Sequence, residues 1–287
     1  MSYLNLVVNG IVEGLLIGLA ALALNLVFAV ARFPNAATGD FLTVGAYAGF
    51  GAQQMGAGTV GQGLAAVLAC VSVSLVSYLA VFRHLVGRQM VAAMLASIGV
   101  AFFVRSVLSL WVGHDPQFFR MPPPSAIQVG ALRLQSLDLW LAAIAACAAL
   151  GALVLLRVTP IGRQMRAVAD NVPLAQASGI RSRRVMLALW ALVGLVCGIA
   201  GLLIGMRASA SPELGWGMLL PAFAAAVLGG VGSPAGAVLA GVMLGIAQEL
   251  STPWLGFSYK VALSFVVLAL ILLVRPQGLF GYREAVR

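Results

Sequence analysis

The chain has 287 residues, 62% of them hydrophobic and only 9% charged, with a formal net charge of +9. An ordinary soluble domain carries about 25% charged residues, and runs such as Ala142 to Leu156 and Val261 to Val274 contain no charge at all. A water-facing globular surface is excluded, and the solvent for most of the chain is a bilayer.

In chain order, the first apolar run is Asn5 to Ala31, long enough to cross about 30 Å of hydrocarbon, which takes roughly 20 residues of helix. No cation precedes Arg32, and Glu13 sits inside the run. Both features argue for a retained membrane segment rather than a cleaved signal peptide. The segment Phe41 to Ala52 is too short to cross unaided. Gly61 to Phe82, Ala92 to Gly113, Leu139 to Leu156, Val185 to Met206 and Trp254 to Val274 each have the length and apolarity of a span. Trp216 to Leu250 is too long for one helix and is broken by Gly229, Gly230, Gly232, Ser233 and Pro234 into two pieces of about 15 residues each. Short, interrupted segments of this kind line cavities in transporters, because irregular backbone is tolerated at membrane depth only where protein or water covers it. The expectation is an all-α polytopic transmembrane helical bundle of eight to nine membrane segments, forming one domain over 1–287.

The loops set the orientation. Arg32, Arg83, Arg88, the six Arg of the loop 157–184, and Arg275, Arg283 and Arg287 fall on one side, against Arg120, Arg133, Arg207 and Lys260 on the other. By the positive-inside rule the first side, with the C-terminus, is cytoplasmic. The N-terminus is outside if Phe41 to Ala52 crosses and inside if it is re-entrant. The outer loop, 114–138, contains Pro122, Pro123 and Pro124, which favour extended geometry and offer a docking surface or a stiff connector. Cations that punctuate apolar runs do not make the basic face of a nucleic-acid binder. Gly pairs four residues apart, as at Gly10/Gly14/Gly18 and Gly241/Gly245, let helix backbones approach closely in lipid.

Catalytic chemistry has little to work with. Cys70, Cys147 and Cys197 stand alone in apolar runs, and the two His residues, His84 and His114, fall on opposite faces, so no metal cluster is expected. A phosphate-binding loop needs Lys after a Gly-rich turn. The single Lys, Lys260, has no such turn, so any ATP-driven work requires another chain.

The richest stretch is the cytoplasmic loop. Thr159 with Pro160, and Asn171 with Pro173, are helix starts, and Gly179 is a stop. Two short helices are expected. On the first, Arg163, Arg166 and Asp170 share a face while Met165 and Val168 point elsewhere. Small residues at Ala167, Ala169 and Ala175 suit close docking into a partner's groove.

Gly162-Arg163, Arg166-Ala167, Ala169-Asp170, Ala175 and Gly179-Ile180 resemble the cytoplasmic coupling motif of ABC-importer permeases of the branched-chain amino acid type, the LivH/LivM family. Gly39-Asp40-Phe41 with Gly45-Ala-Tyr47, Ala225 to Ser233, and Arg275-Pro-Gln-Gly278 extend the likeness from about residue 10 to residue 281, closer to LivH. The resemblance implies a bacterial inner-membrane subunit translocating branched-chain or related amino acids by alternating access. It also implies a second related permease, two cytoplasmic ATPases that hold the ATP and magnesium, and an external solute-binding protein. This chain itself would bind no cofactor. It departs from the family at Asn35-Ala-Ala-Thr38-Gly39-Asp40, where an aromatic residue and a His are usual, and at Arg105, where Gln is common.

Charges inside spans are costly and tend to face a path with a partner. Arg105, about 12 Å from its helix end, is expected to pair with Glu13 or Glu249, to bind a substrate carboxylate, or to snorkel to the interface. Asn25, Thr38, Gly39 and Asp40 are further path candidates. Two rival functions remain open. One is a permease for another small solute such as urea, short amides or aromatic acids. The other is an ion-coupled carrier working alone, which would show internal repeats and an embedded acid relay.

Overall fold

A computed structural model describes residues 3–85, 89–121, 126–129, 132–256, 259–275 and 278–280. Arg88, Pro122 to Pro124, Pro276, Gln277, Arg283 and Arg287 fall outside them. In chain order the helices are α1 (Tyr3–Ala31), α2 (Ala37–Gln54), α3 (Thr59–Ala80), α4 (Met90–Val112), α5 (Ser136–Val158), α6 (Pro160–Asp170) and α7 (Val172–Ala177). They continue with α8 (Ser182–Arg207), α9 (Leu214–Gly229), α10 (Pro234–Leu255) and α11 (Lys260–Val274). Six helices are long and apolar enough to cross a membrane: α1, α3 with its short extension to His84, α4, α5, α8 and α10.

Three expectations need correction. Trp254 to Val274 is not one span: α10 continues through Trp254 to Leu255 and stops at Gly256 (φ +82°), leaving α11 only 15 residues. The two pieces of the split segment are unequal, at 16 and 22 residues. Within the outer loop the chain forms an antiparallel hairpin, β1 (Ala126–Val129) with β2 (Leu132–Gln135), in which Ala126 faces Gln135 and Val129 faces Leu132. Among the described residues, regular structure is thus helical apart from one short ribbon and the isolated bridge between Gln117 and Ala210.

Helix directions follow from where glycines let backbones touch. A Cβ on Gly10, Gly14 or Gly18 of α1 would meet Ile246, Val242 or Val238 of α10 respectively, so these two helices run antiparallel in tight register. Gly194 and Gly198 of α8 meet Val71 and Val67 of α3, again antiparallel. Gly201 and Gly205 of α8 meet Leu42 and Ala46 of α2, which is parallel. Without side chains at these positions the backbones close to contact, the principal packing device where lipid gives no hydrophobic drive.

The core is therefore α1, α2, α8 and α10, with α3, α4, α5 and α11 outside them. The apolar stretch of α1 is 78% buried and that of α8 72%, against 17% for α4. One end of the bundle carries α6 and α7; the other carries the hairpin, Met55 and the start of α1.

Two helices begin inside the bundle. The Thr38 carbonyl lies 3.8 Å from Cys197 Sγ, fifteen residues into α8, about 22 Å from the start of that helix. The chain reaches this depth by an irregular stretch after Arg32, which adopts φ +60°, and through Pro34, which cannot donate a backbone hydrogen bond. From there α2 climbs to the hairpin end, where Gln53 and Arg120 exchange hydrogen bonds of 3.0 and 2.9 Å. The stretch from Phe33 to Gln54 thus traverses the bundle, which resolves how a helix too short to cross unaided is used. Likewise, the α1–α10 register sets Pro234 opposite Leu22, well short of Ala31. The Gly229–Pro234 break, with Gly230 at φ +92° and Gly232 at φ +87°, is accordingly internal, and Ser233 caps α10 by accepting from the Gly236 N–H at 3.2 Å.

Candidate functional site

The start of α2 is built from polar groups rarely met at this depth. Asn35 Oδ1 accepts from the Ala37 N–H (3.1 Å), and the Ala36 N–H donates to Ser97 Oγ of α4 (3.0 Å). Gly39 lies against Gly215 at the start of α9, and Thr43 Oγ1 accepts the Gly215 N–H at 3.0 Å. On the first turn stands Asp40, and it is here that Arg105 finds its partner. Arg105 Nε donates to Oδ1 at 3.0 Å and Nη2 to Oδ2 at 3.1 Å, a bidentate pair whose side chains are 16% and 1% exposed. The guanidinium also lies 5.4 Å from the Phe102 ring centre and 5.1 Å from that of Trp216, within cation–π range. The buried atoms Asn25 Oδ1, Asn35 Nδ2, Thr38 Oγ1 and Tyr47 Oη have no hydrogen-bond partner among the described residues. Asn25 Nδ2 meanwhile donates to the Gly230 carbonyl at 3.0 Å and ties α1 to the internal break.

The expected pairing of Arg105 with Glu13 or Glu249 is therefore corrected. Glu13 pairs with Arg207, which also binds Asp138 (3.3 Å), and Glu249 pairs with Lys260. Arg207 and Lys260 read in the sequence as orienting cations of outer loops. The overlooked signal was that two acids embedded in apolar runs each require a cation, and these two stand at the nearest helix ends.

At the other end α6 and α7 form as the caps dictate. Thr159 Oγ1 accepts the Gly162 N–H (3.2 Å), and Asn171 Oδ1 accepts the Leu174 N–H (3.0 Å). Gly179, at φ +82°, lets the Ile180 N–H return to the Ala175 carbonyl at 3.0 Å and close α7. Met165 and Val168 are buried, while Arg163, Arg166 and Asp170 are exposed, as the spacing predicts. The small residues behave otherwise than expected: Ala175 is buried, Ala167 and Ala169 are half-buried against the core, and a Cβ on Gly162 would fall on the Leu156 backbone. Their size serves packing onto this chain's own bundle. The cations are partly turned inward as well, since Arg166 donates to the Leu156 carbonyl and Arg163 to that of Val158 (3.4 Å). Arg32 reaches across from α1 to the last carbonyls of α6, Ala169 (2.7 Å) and Asp170 (3.0 Å). Besides Arg163 and Arg166, the unit offers outward Ile161, Gln164, Asp170, Leu174 and Gln176 among its exposed residues.

Among the described residues no group of His, Cys, Asp and Glu is placed to hold a metal ion. Comparison with known proteins finds that residues 6–274 match the family described as branched-chain amino acid transport system / permease component. The chain is 29% identical to the high-affinity branched-chain amino acid transport system permease protein LivH of Escherichia coli, over 99% of this chain and 97% of that one. It is 26% identical to the corresponding permease protein BraD of Pseudomonas aeruginosa, over 98% and 97%. A shorter likeness, 41% over 97 residues, joins it to the xylose transport system permease protein XylH of Escherichia coli, covering 31% of this chain and 25% of that one. No solved structure matches.

Proposed function

The chain belongs to the family of branched-chain amino acid transport system permease components, and on that premise we propose that it is one of two membrane subunits of an ATP-driven importer of branched-chain or related amino acids. It is a multi-pass membrane protein, and the proposal assigns all 287 residues to one permease domain of the bacterial inner membrane. The membrane is crossed by α1, α2 with the irregular stretch before it, α3, α4, α5, α8 and α11, while α9 and α10 enter from the outer side and meet at the internal break, with the N-terminus outside and the C-terminus cytoplasmic. The arginine-rich end, with Arg32, Arg157 and Arg181 to Arg184, faces the cytoplasm in this orientation, in keeping with the positive-inside rule.

The observation that carries the reading is the α6–α7 unit. Two capped helices are anchored on the bundle by Gly162, Met165, Val168 and Ala175 and fastened to α1 by Arg32, while Leu174 is left 65% exposed. A loop that served only topology would have no use for such anchoring. In the proposed assembly this unit docks on one of two ATPase subunits, which supply ATP and magnesium. A second permease of the family completes the pathway, and an external binding protein delivers solute to the hairpin end. ATPase closure would displace α6 and α7 and, through them, the bundle, exchanging outward- and inward-open states.

Within this chain the path is assigned to the polar start of α2, at Thr38, Gly39 and Asp40 with Arg105 of α4, and to Asn25 of α1 at the internal break, with Glu13 and Glu249 toward the outer end. Gly229, Gly230, Gly232, Ser233 and Pro234 form the internal break against which α9 and α10 can shift. Of the coupling residues, Gly162, Ala167, Ala169, Ala175, Gly179 and Ile180 shape and seat the unit, and Arg163, Arg166 and Asp170 border the surface it presents.

Leu174→Glu tests the docking role, because the side chain supports little of the chain's own fold. Membrane level and thermal midpoint are expected to stay at wild type, while ATP-driven uptake in proteoliposomes falls more than tenfold. Uptake at the wild-type rate would defeat the docking assignment, and uptake by the chain without any ATPase would defeat the importer reading.

A further inference from the structure

Five charged side chains from five helices gather at the hairpin end of the bundle: Glu13 (α1), Asp138 (α5), Arg207 (α8), Glu249 (α10) and Lys260 (α11). Four of them, all but Asp138, line a half-open cavity of about 370 Å³. Packing alone does not account for such a cluster. Taking ions out of water is expensive, and apolar side chains of similar volume commonly do as well or better in holding helices together. Apart from Asn9, the rest of the lining is apolar, with Leu6 and Leu16 of α1, Ile204 of α8, Ala208 just after that helix and Met218 of α9.

The cavity thus sets cations beside carboxylates and adds an apolar wall. A zwitterion with a hydrocarbon portion satisfies all three. Its anionic group can take over hydrogen bonds from Arg207 and Lys260, its ammonium those of Glu13 and Glu249, and its hydrocarbon part lies on Leu16, Ile204 and Met218. The lining carries two carboxylates and two cations, so a ligand that brings one charge of each sign keeps the site balanced. Met218 adds adaptability, since an unbranched thioether repacks against different shapes. The volume lies within the range of small-molecule sites, about 300–1,000 Å³.

We infer that this cavity is a binding site for a zwitterion carrying an ammonium, an anionic group and an apolar portion, and that its occupant is a free amino acid with an apolar side chain. The inference deepens the importer reading, from which its position on the outer side follows. A phosphatidylethanolamine headgroup shares the chemistry of ammonium and anion and is the other possible source.

The test is equilibrium binding of L-leucine to the chain assembled with its partner permease and ATPases, without binding protein and without ATP, in nanodiscs of phosphatidylglycerol and of phosphatidylethanolamine. Saturable binding is expected in both, with 4-methylpentanoate and isopentylamine failing to compete because each lacks one charge. Glu249→Gln, and the paired change Glu13→Gln with Arg207→Gln that leaves no charge stranded, should each weaken leucine binding at least tenfold. Phosphatidylethanolamine retained by the wild type and lost from these variants, with no leucine bound in either lipid, would assign the same site to a lipid headgroup. Neither ligand binding, or leucine binding unchanged in the variants, overturns the site. ATP-driven uptake measured in the same preparation separates the two readings: intact uptake without leucine binding defeats this cavity alone, whereas uptake independent of ATP defeats the importer.

Discussion

Asp40 and Arg105 illustrate how a charge at depth is stabilised. The carboxylate is fully enclosed and the guanidinium nearly so, both forks of the pair are used, and two aromatic rings cover the cation. Breaking a buried pair by removing one partner costs about 3–5 kcal/mol, because the remaining charge is stranded. Asp40→Asn or Arg105→Gln alone should therefore lower the thermal midpoint and membrane yield sharply, while Asp40→Asn with Arg105→Gln recovers most of both. A double-mutant cycle on the midpoint in detergent checks this, and additive losses would refute a direct pair. Both residues were legible in the sequence as polar groups inside apolar runs, yet their partnership was not. Depth was counted from helix ends, and the end of α2 is hidden inside the bundle by the irregular passage from Arg32 to Ala36. The same counting misassigned Glu13 and Glu249.

At the scale of elements, local signals were read well and long-range ones poorly. The caps at Thr159, Asn171 and Gly179 act within four residues of themselves, so α6 and α7 could be placed from sequence. Which face of α6 docks on its own bundle depends on α1, α5 and α8, and the alanines taken for a partner's groove are spent there. Gly256, at φ +82°, is a stop legible in the sequence, and it is what separates α10 from the short α11. The glycine spacing foretold close helix contact, but that α1 meets α10, more than 200 residues away in sequence, follows only from the fold. Gly14 faces the Val242 backbone with no room for a side chain, whereas Gly51 and Gly151 face open space. Gly14→Leu is expected to abolish stable expression, and Gly151→Ala to leave the thermal midpoint unchanged or slightly raised, since Ala gains up to about 1 kcal/mol over Gly in a helix interior. Equal behaviour of the two variants would mean that the α1–α10 contact is not backbone to backbone.

For the molecule as a whole, the distribution of arginines and the packing of helices converge on one polarity. The arginine-rich loop sits at the end opposite Tyr3, and the traverse from Phe33 to Gln54 puts Met55 at the same end as the start of α1, far from Gln176. Single cysteines at Met55 and Gln176, in a chain with the exposed Cys147 replaced by Ser and with buried Cys70 and Cys197 retained, test this directly. An impermeant maleimide added to intact cells should label Met55→Cys, which is 89% exposed in the parent residue, and should reach Gln176→Cys only after permeabilisation. The reverse pattern would invert the membrane orientation.

The two attachments of α1 have a mechanical consequence. Near one end Glu13 is ion-paired to Arg207, and just beyond the other Arg32 grips the last carbonyls of α6. Between them the helix is almost entirely enclosed and locked to α10 without intervening side chains to slide or compress. In the proposed importer a helix so confined would act as a pushrod: a displacement of α6 would be delivered along it to the salt bridges around Glu13, roughly 28 Å away.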